Sequence, residues 1–496
     1  MTHDTCPNAI PGSSVHHCGS SSMAVRSAVV LLLLFTSGFA VAADQKSNPN
    51  QCSISEDERV GLNGDLSTDV HAAHNYVETI ARMLRAKEFG KLDCLADHAR
   101  AGKERFPGGM WKLKQLYAGL YEPVQYPMHA TQEDWKTLLR NLEQWVTMHP
   151  KSITARVALA SAYLAYAADA RGDGDASTVT ESGWKLFGER IAKARRVLQE
   201  ASTLPTKCPE WYVAMLLVAE NQDWDAMKKR ALFEEAFKFE PGYYYYARVR
   251  ASRLLPKWAG KPGDTEKFTE EVADRIGGER GDILYFQVAS ANYVICGCDS
   301  DPHLSWQRIE RGFEESEKQL GASMLNLNRI AFLASDYGET DPIVAEKALT
   351  RIGEQWDEET WKTKEEFANA KQRAANNAPI LAKRRAIEAA ADANMQTPEG
   401  LRYETSLEGP YKELVQQCVR PEGGDVGKFK TLLNVGEKGT VEDIRIYWHS
   451  AASHCVYEKL QALKQEKATP FPPPPQAPYW VRIDLDWAAL APIAAK

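Results

Sequence analysis

The sequence predicts a multidomain, mainly α chain. A helical-hairpin array over residues 65–396 precedes a small α+β domain of β-β-α-β order over residues 409–490. Three observations carry this. Between Asp65 and Ala393 apolar residues recur at helical spacing, with few strand signals. Breakers recur at His149-Pro150, Leu204-Pro205, Glu240-Pro241-Gly242 and Asp341-Pro342, cutting the region into helices of about ten to twenty residues. Beyond Thr397-Pro398-Glu399-Gly400 the pattern changes to short, strand-like runs.

The N-terminus reads as an extension followed by a signal peptide, residues 1–42. Met23 to Arg26 is a short positive start, Ala28 to Phe35 an apolar core, and Ala40-Val41-Ala42 a small-x-small cleavage site. The apolar run is well short of the about 20 residues that span a bilayer. The alternative is an uncleaved anchor continuing through Gly38 to Val41. Met1 to Ser22 is polar and patternless, which makes Met23 a second candidate start.

In the helical part, Trp135, Leu138, Leu139, Leu142, Trp145 and Val146 fall on one stripe. Trp211, Met215, Leu216 and Val218 form another, as do Phe233, Ala236 and Phe237. Lys228 to Pro241 (KKRALFEEAFKFEP) resembles the second helix of a tetratricopeptide-type repeat, and Leu138 to Pro150 is a weaker example. No clean 34-residue period is visible, so the array is repeat-like, and an irregular all-α domain stays open beside it. Asn369 to Asn394 reads as an exposed helix, with a domain boundary near Thr397 to Gly409.

In the last hundred residues Phe429 to Val435 and Thr440 to Trp448 are strands joined by a hairpin turn at Gly436-Glu437-Lys438-Gly439. His454 to Gln465 is an amphipathic helix. Pro470 to Pro475 is a stiff polyproline stretch. Tyr479 to Trp487 closes the module as an alternating strand, and a short helix at Tyr411 to Val419 precedes it.

Two resemblances follow. Val435 to Ile444, the helix after it, Phe471-Pro472-Pro473-Pro474-Pro475 and the closing strand resemble, in that order, the C-terminal domain of TonB-type energy transducers. That resemblance implies a non-catalytic module that binds partner proteins across the periplasm. The helical domain stands where transducers carry a membrane helix and proline-rich spacer. The helical part resembles a family of bacterial exported proteins to which no activity attaches. It does so at Phe89 to Leu95 (FGKLDCL), at Met110 to Leu113 with Tyr117 to Leu120, at Ala165-Tyr166 with Ala170 to Gly174, and at Leu255 to Gly260.

Composition narrows function. Lys plus Arg is 60 against 67 Asp plus Glu, a net charge of -7, so the basic excess of a nucleic-acid binder is absent. Cleavage after Ala42 leaves seven of nine cysteines. Export permits disulfides, and an odd number leaves at least one thiol free or paired between chains. Cys418 and Cys455 flank the predicted hairpin and are expected to form a disulfide at one end of the sheet.

The motifs for chemistry fail in turn. His71, His74 and Glu78 share a helix face, with Asp93, Asp97 and His98 as further possible ligands, but no H-E-x-x-H occurs. Asp173 to Ser177 lacks the Gly and Glu of a calcium loop. Leu255 stands where a phosphate loop needs its first Gly. Ser182-Gly183-Trp184-Lys185 lacks the companion motifs of a penicillin-binding site. Cys296-Gly297-Cys298 has one residue between its thiols where a thioredoxin motif has two. Tyr243 to Tyr246 reads chiefly as core packing, with a sticky groove for peptide or glycan as the functional reading.

The expected function is a non-catalytic periplasmic or secreted protein-interaction scaffold with no metal and no cofactor. Its candidate binding residues are Trp111, Tyr117, Arg171 and Trp258, and its partner is an envelope protein or peptide, not nucleic acid. Membrane contact would come only through an uncleaved anchor. The alternative is an exported enzyme of unrecognised type, its site among Trp111, Arg171 and Trp258. The mature chain should begin at or near Ala43. Intact-mass measurement of protein purified from the cell envelope checks this, and recovery of an uncleaved Met23 start would overturn it.

Overall fold

Short polar side chains start the helices where breakers end the ones before. The computed structural model describes residues 52–63, 69–123, 130–172, 176–258, 260–296, 304–336, 341–418, 430–446 and 451–483. The signal-peptide segment, Cys298 and residues 484–487 of the closing strand lie outside them. Helices α1 (Glu56–Asn63), α2 (Asp69–Arg85), α3 (Phe89–Gly102) and α4 (Lys112–Tyr121) open the chain. Thr131 then starts α5 (Gln132–Met148) with a reciprocal capping box to Asp134, and Ser152 caps α6 (Ile153–Arg171). Thr180 caps α7 (Glu181–Ser202), Pro209 occupies the first turn of α8 (Pro209–Asn221), and Asp225 caps α9 (Ala226–Phe239).

Beyond these lie α10 (Tyr245–Arg253), α11 (Asp264–Ile276), α12 (Gly278–Cys296), α13 (Trp306–Leu320), α14 (Met324–Asp336), α15 (Pro342–Ile352) and α16 (Glu358–Trp361). Successive helices pack on one another: α5 on α6, α6 on α7, α8 on α9, α11 on α12, α12 on α13 and α14 on α15. In an open solenoid each unit touches only its neighbours. Here α2 also packs on α14, and residues 107–109 pack on α13, so distant helices meet.

That meeting is built from polar contacts. The Asp69 carboxylate accepts from Ser323 Oγ and from the Met324 backbone N–H, each at 2.6 Å, and so caps α14 across the whole helical part. Burial pushes the Asp69 carboxyl above its usual range, against the pull of those two bonds. Gly108 has φ +76° and its N–H donates to Gly321 O at 3.1 Å. A Cβ there would lie 2.3 Å from that of Ser323, so the close approach needs glycine.

The helix α17 (Lys364–Met395) is 32 residues long and stays helical through Pro379. Its first half buries Phe367, Ala370 and Ala374 in the helical core. Its second half sets Ile387 and Ala391 against Leu432 and Trp480 of the sheet. The helix read as exposed therefore has a buried stripe along its length. Two residues later α18 (Pro398–Gln416) begins, capped by Thr397. It fills the interval expected to hold the domain boundary. Its Tyr403 and Leu407 already belong to the core under the sheet.

The sheet has strand order β2-β1-β3, with β1 Thr431–Val435, β2 Val441–Ile446 and β3 Tyr479–Ile483, both pairings antiparallel. Leu433 stands opposite Ile444 on one side and Val481 on the other. Helix α19 (Ala451–Gln465) packs Val456 and Leu460 into the same core. The run TLLNV is buried without alternation because β1 is central and covered on both faces: Leu433 and Val435 face α18 and α19, Leu432 faces α17. Gly439, at φ +79°, turns the hairpin, and a Cβ there would meet the Phe471 carbonyl at 1.8 Å. That contact seats the start of the polyproline stretch on the turn.

Two disulfides occur among the described residues. Cys52 joins Cys94, with Cα atoms 5.6 Å apart, and Cys418 joins Cys455 at 5.7 Å. Cys208 is a buried free thiol. No helix among the described residues is long and apolar enough to cross a membrane. The bridge from Cys418 spans 37 residues, so on loop-closure entropy its removal should cost about 3–4 kcal/mol. Cys418→Ala with Cys455→Ala should lower the urea midpoint accordingly. An unchanged midpoint, or recovery of both cysteines as separate thiols by non-reducing peptide mapping, would refute it.

Candidate functional site

Helix α4 carries Leu113, Leu116, Tyr117 and Leu120 on its core face, fully buried, which turns Lys114 to the flank. There its Nζ meets Glu210 Oε2 of α8 at 3.2 Å. Glu210 is 2% exposed, and its other oxygen accepts from Tyr243 Oη at 2.6 Å. Burial favours the neutral amine at Lys114, but the facing Glu210 overcomes it and raises the Lys114 pKa. Burial and the Glu210 charge push the Tyr243 hydroxyl far above its ordinary range.

Tyr243 is the first of the four tyrosines, all of them buried. Tyr244 and Tyr245 stack with centroids 4.2 Å apart, and Tyr244 Oη donates to Tyr245 Oη at 3.0 Å. The two rings form one wall of a cavity of about 420 Å³. Arg248, one turn further along α10, stands on the same wall. Arg329, Asn326 and Leu325 of α14 line it too, with Val77, Met110 and Tyr121 completing apolar surface. A second cavity of about 400 Å³ shares Lys114, Tyr245 and Arg248 and reaches Trp258. The run of tyrosines is therefore both core and cavity wall.

Asn328 fixes the far side. It is fully buried on α14. Its Nδ2 donates to Met324 O at 2.9 Å and Gln355 O at 3.2 Å. Its Oδ1 accepts from Trp361 Nε1 at 2.9 Å and the Asp357 N–H at 3.1 Å. Three of these bonds hold the segment 355–361 against α14, and the one to Met324 stays within the helix. That segment brings Asp357 and Glu359 to the cavity lining.

Of the four candidate binding residues, the structure brings two together and buries the others. Trp258 is 42% exposed, with the Arg171 guanidinium 5.7 Å and the Arg253 guanidinium 4.8 Å from its ring centre. Trp111 and Tyr117 present no surface. Trp111 is 1% exposed, donates through Nε1 to Gly242 O at 3.2 Å, and supports the tyrosine wall from behind at 4.9 Å from Tyr243. Tyr117 is fully buried, its hydroxyl 3.3 Å from Cys208 Sγ.

The tested metal residues disperse. Glu78 lies 4.0 Å from Arg85, and His74 sits at the cavity mouth. Asp93 accepts from Trp145 Nε1 at 3.3 Å and contacts His149 Nδ1 at 2.7 Å. Among the described residues Cys52, Cys94 and His98 group at metal-ligand distance, but the first two are bonded to each other, so their sulfurs are not thiolate ligands.

The cavity residues missed in the sequence come from α4, α10 and α14, distant in the chain and sharing no local motif. One signal was present: Asn326, Asn328 and Arg329 interrupt an otherwise apolar helix, MLNLNRIAFLASD. No protein-family model, curated protein or solved structure matches this chain.

Removing one member of the buried charge pair tests this framework. Glu210→Ala should cost about 1–3 kcal/mol, because half-buried Lys114 loses its counter-ion and buried Tyr243 its acceptor. Glu210→Gln keeps an acceptor for Tyr243 and should cost less. Urea unfolding of both checks the order, and equal midpoints for wild type and Glu210→Ala would remove the pair from its assigned role.

Proposed function

We propose that the chain is a non-catalytic, exported bacterial interaction protein, periplasmic or secreted. Its helical part is a tetratricopeptide-like scaffold holding a ligand in the central cavity. Its C-terminal module is TonB-like and takes a partner strand from an envelope protein or peptide. The observation that carries this reading is the cavity itself. Helices from distant parts of the chain converge on a pocket of ligand size, with tyrosine walls and a few placed polar groups. The signal-peptide pattern and the two disulfides support export to an oxidising compartment.

The sheet supports the second role. Among the described residues β2 pairs only with β1, so its outer edge carries no strand. Glu442, Asp443 and Arg445 lie along β2. Charges there disfavour edge-to-edge self-association and leave room for a partner with complementary charges. A photocrosslinking residue placed at Glu442 should, in cells making the full chain, give an adduct of one discrete mass. The same residue at exposed Lys185 on α7 should not. No adduct at Glu442, or identical adducts at both positions, would refute strand addition.

A further inference from the structure

Arg329 breaks the pattern set by other buried and half-buried arginines. Arg250 pairs with Glu220, Arg308 with Asp282 at 2.8 Å, and Arg190 reaches Asp169 at 3.9 Å. Arg329 is 7% exposed, and its side chain makes no hydrogen bond or ion pair among the described residues. Its Nε is buried without a partner. A guanidinium does not give up its proton in a protein, so this is a charge held in the interior with no carboxylate bonded to it among the described residues. Such a charge costs several kcal/mol unless something offsets it.

Its surroundings offset it only in part: Glu359 and Asp357 attract it from a distance, but burial and the like charge of Arg248 outweigh them. Arg248, on the opposite wall, is a second cation with no ion pair among the described residues, 5.7 Å from the Tyr245 ring. The carboxylates nearest in the lining are Asp357 and Glu359. Asp357 is committed as a helix cap, accepting from the Thr360 N–H at 2.9 Å and from its hydroxyl. Glu359 is exposed and makes no hydrogen bond to Arg329. Two guanidiniums thus present planar donor forks to a cavity with apolar and tyrosine walls.

We propose that this cavity binds a small organic oxyanion, a carboxylate or phosphate ester on an apolar body, with Arg329 as its buried counter-charge and Arg248 as a second donor. The chemistry is bidentate recognition of a planar or tetrahedral oxyanion by arginine. A volume of about 420 Å³ holds more than a bare ion, and Tyr244, Tyr245, Met110 and Val77 offer contact to the body. This rests on the reading of the cavity as a ligand site.

The test titrates the full mature chain by calorimetry with phenyl phosphate, phenylacetate and inorganic phosphate at millimolar concentration. The aryl phosphate and the aryl carboxylate distinguish the two sources of the anion, and inorganic phosphate reports a bare-ion site. At least one aryl anion should bind saturably and more tightly than inorganic phosphate. Arg329→Gln should weaken it at least about tenfold, the loss of one charge-assisted bond. Arg140→Gln on the exposed face of α5 should leave it unchanged. No saturable binding of either aryl anion, or equal binding by Arg329→Gln, overturns the proposal.

A second variant guards against a purely structural role. Arg329→Met removes the unpaired charge at similar volume, so without ligand it should unfold at the same or a higher temperature than wild type. A lower melting temperature would mean that Arg329 serves the fold, and would also overturn the proposal. Failure here with a discrete Glu442 adduct would leave the partner-binding role of the sheet standing. The reverse outcome would leave the anion site alone.

Discussion

The helical part depends on one buried charge. Glu210 lies at the start of α8, almost without solvent, and must be satisfied from inside the protein. Lys114 of α4 and Tyr243, just before α10, both answer it. A buried ion pair adds little net stability over apolar packing, but it penalises every arrangement in which the partners fail to meet. Three segments are therefore fixed relative to one another within hydrogen-bond tolerance. Once Tyr243 is placed, the following residues have no freedom to choose walls: Tyr244 and Tyr245 stack, and Arg248 follows one turn later. The cavity is a consequence of satisfying Glu210.

A second constraint is the length of α17. At 1.5 Å per residue its 32 residues span about 48 Å, enough to serve two cores. Phe367 and Ala374 anchor it in one, Ile387 and Ala391 in the other. The Asn394 side chain donates to Trp480 O at 2.9 Å, and Asp392 pairs with Arg482, so β3 is tied to the helix by polar bonds as well. The small sheet has β1 covered on both faces only because α17 reaches it. A three-stranded sheet with one bare face would be a poor independent core.

Much of this was legible in the sequence, for local reasons. Helical spacing in Trp135 to Val146 and the breaker at His149-Pro150 act within a turn or two of where they are read. The hairpin at Gly436 to Gly439 is likewise local. The pairing of Cys418 with Cys455 was readable because the β-β-α order places both at one end of the sheet. The start of α18 was not: Thr397-Pro398 reads as a break, and it is one, but between two helices separated by two residues. Trp111 and Tyr117 look like Trp258 in composition and differ only in burial, which tertiary packing decides. Beyond the tyrosine run the cavity was illegible, because its members reach from Val70 to Glu359 and each is ordinary alone.

Net charge was the least informative of the sequence-level quantities for the site. The chain carries -7 overall, yet Lys114, Arg248 and Arg329 gather around one cavity. Whole-chain charge governs solubility and long-range steering. A cavity answers more to the few charges lining it, because burial reduces their screening. Two guanidiniums against tyrosine and aliphatic walls favour negative charge there, offset in part by Asp357 and Glu359 in the same lining. Selectivity on such a site falls to the apolar body of the ligand, which the tyrosine wall positioned by Glu210 is shaped to meet.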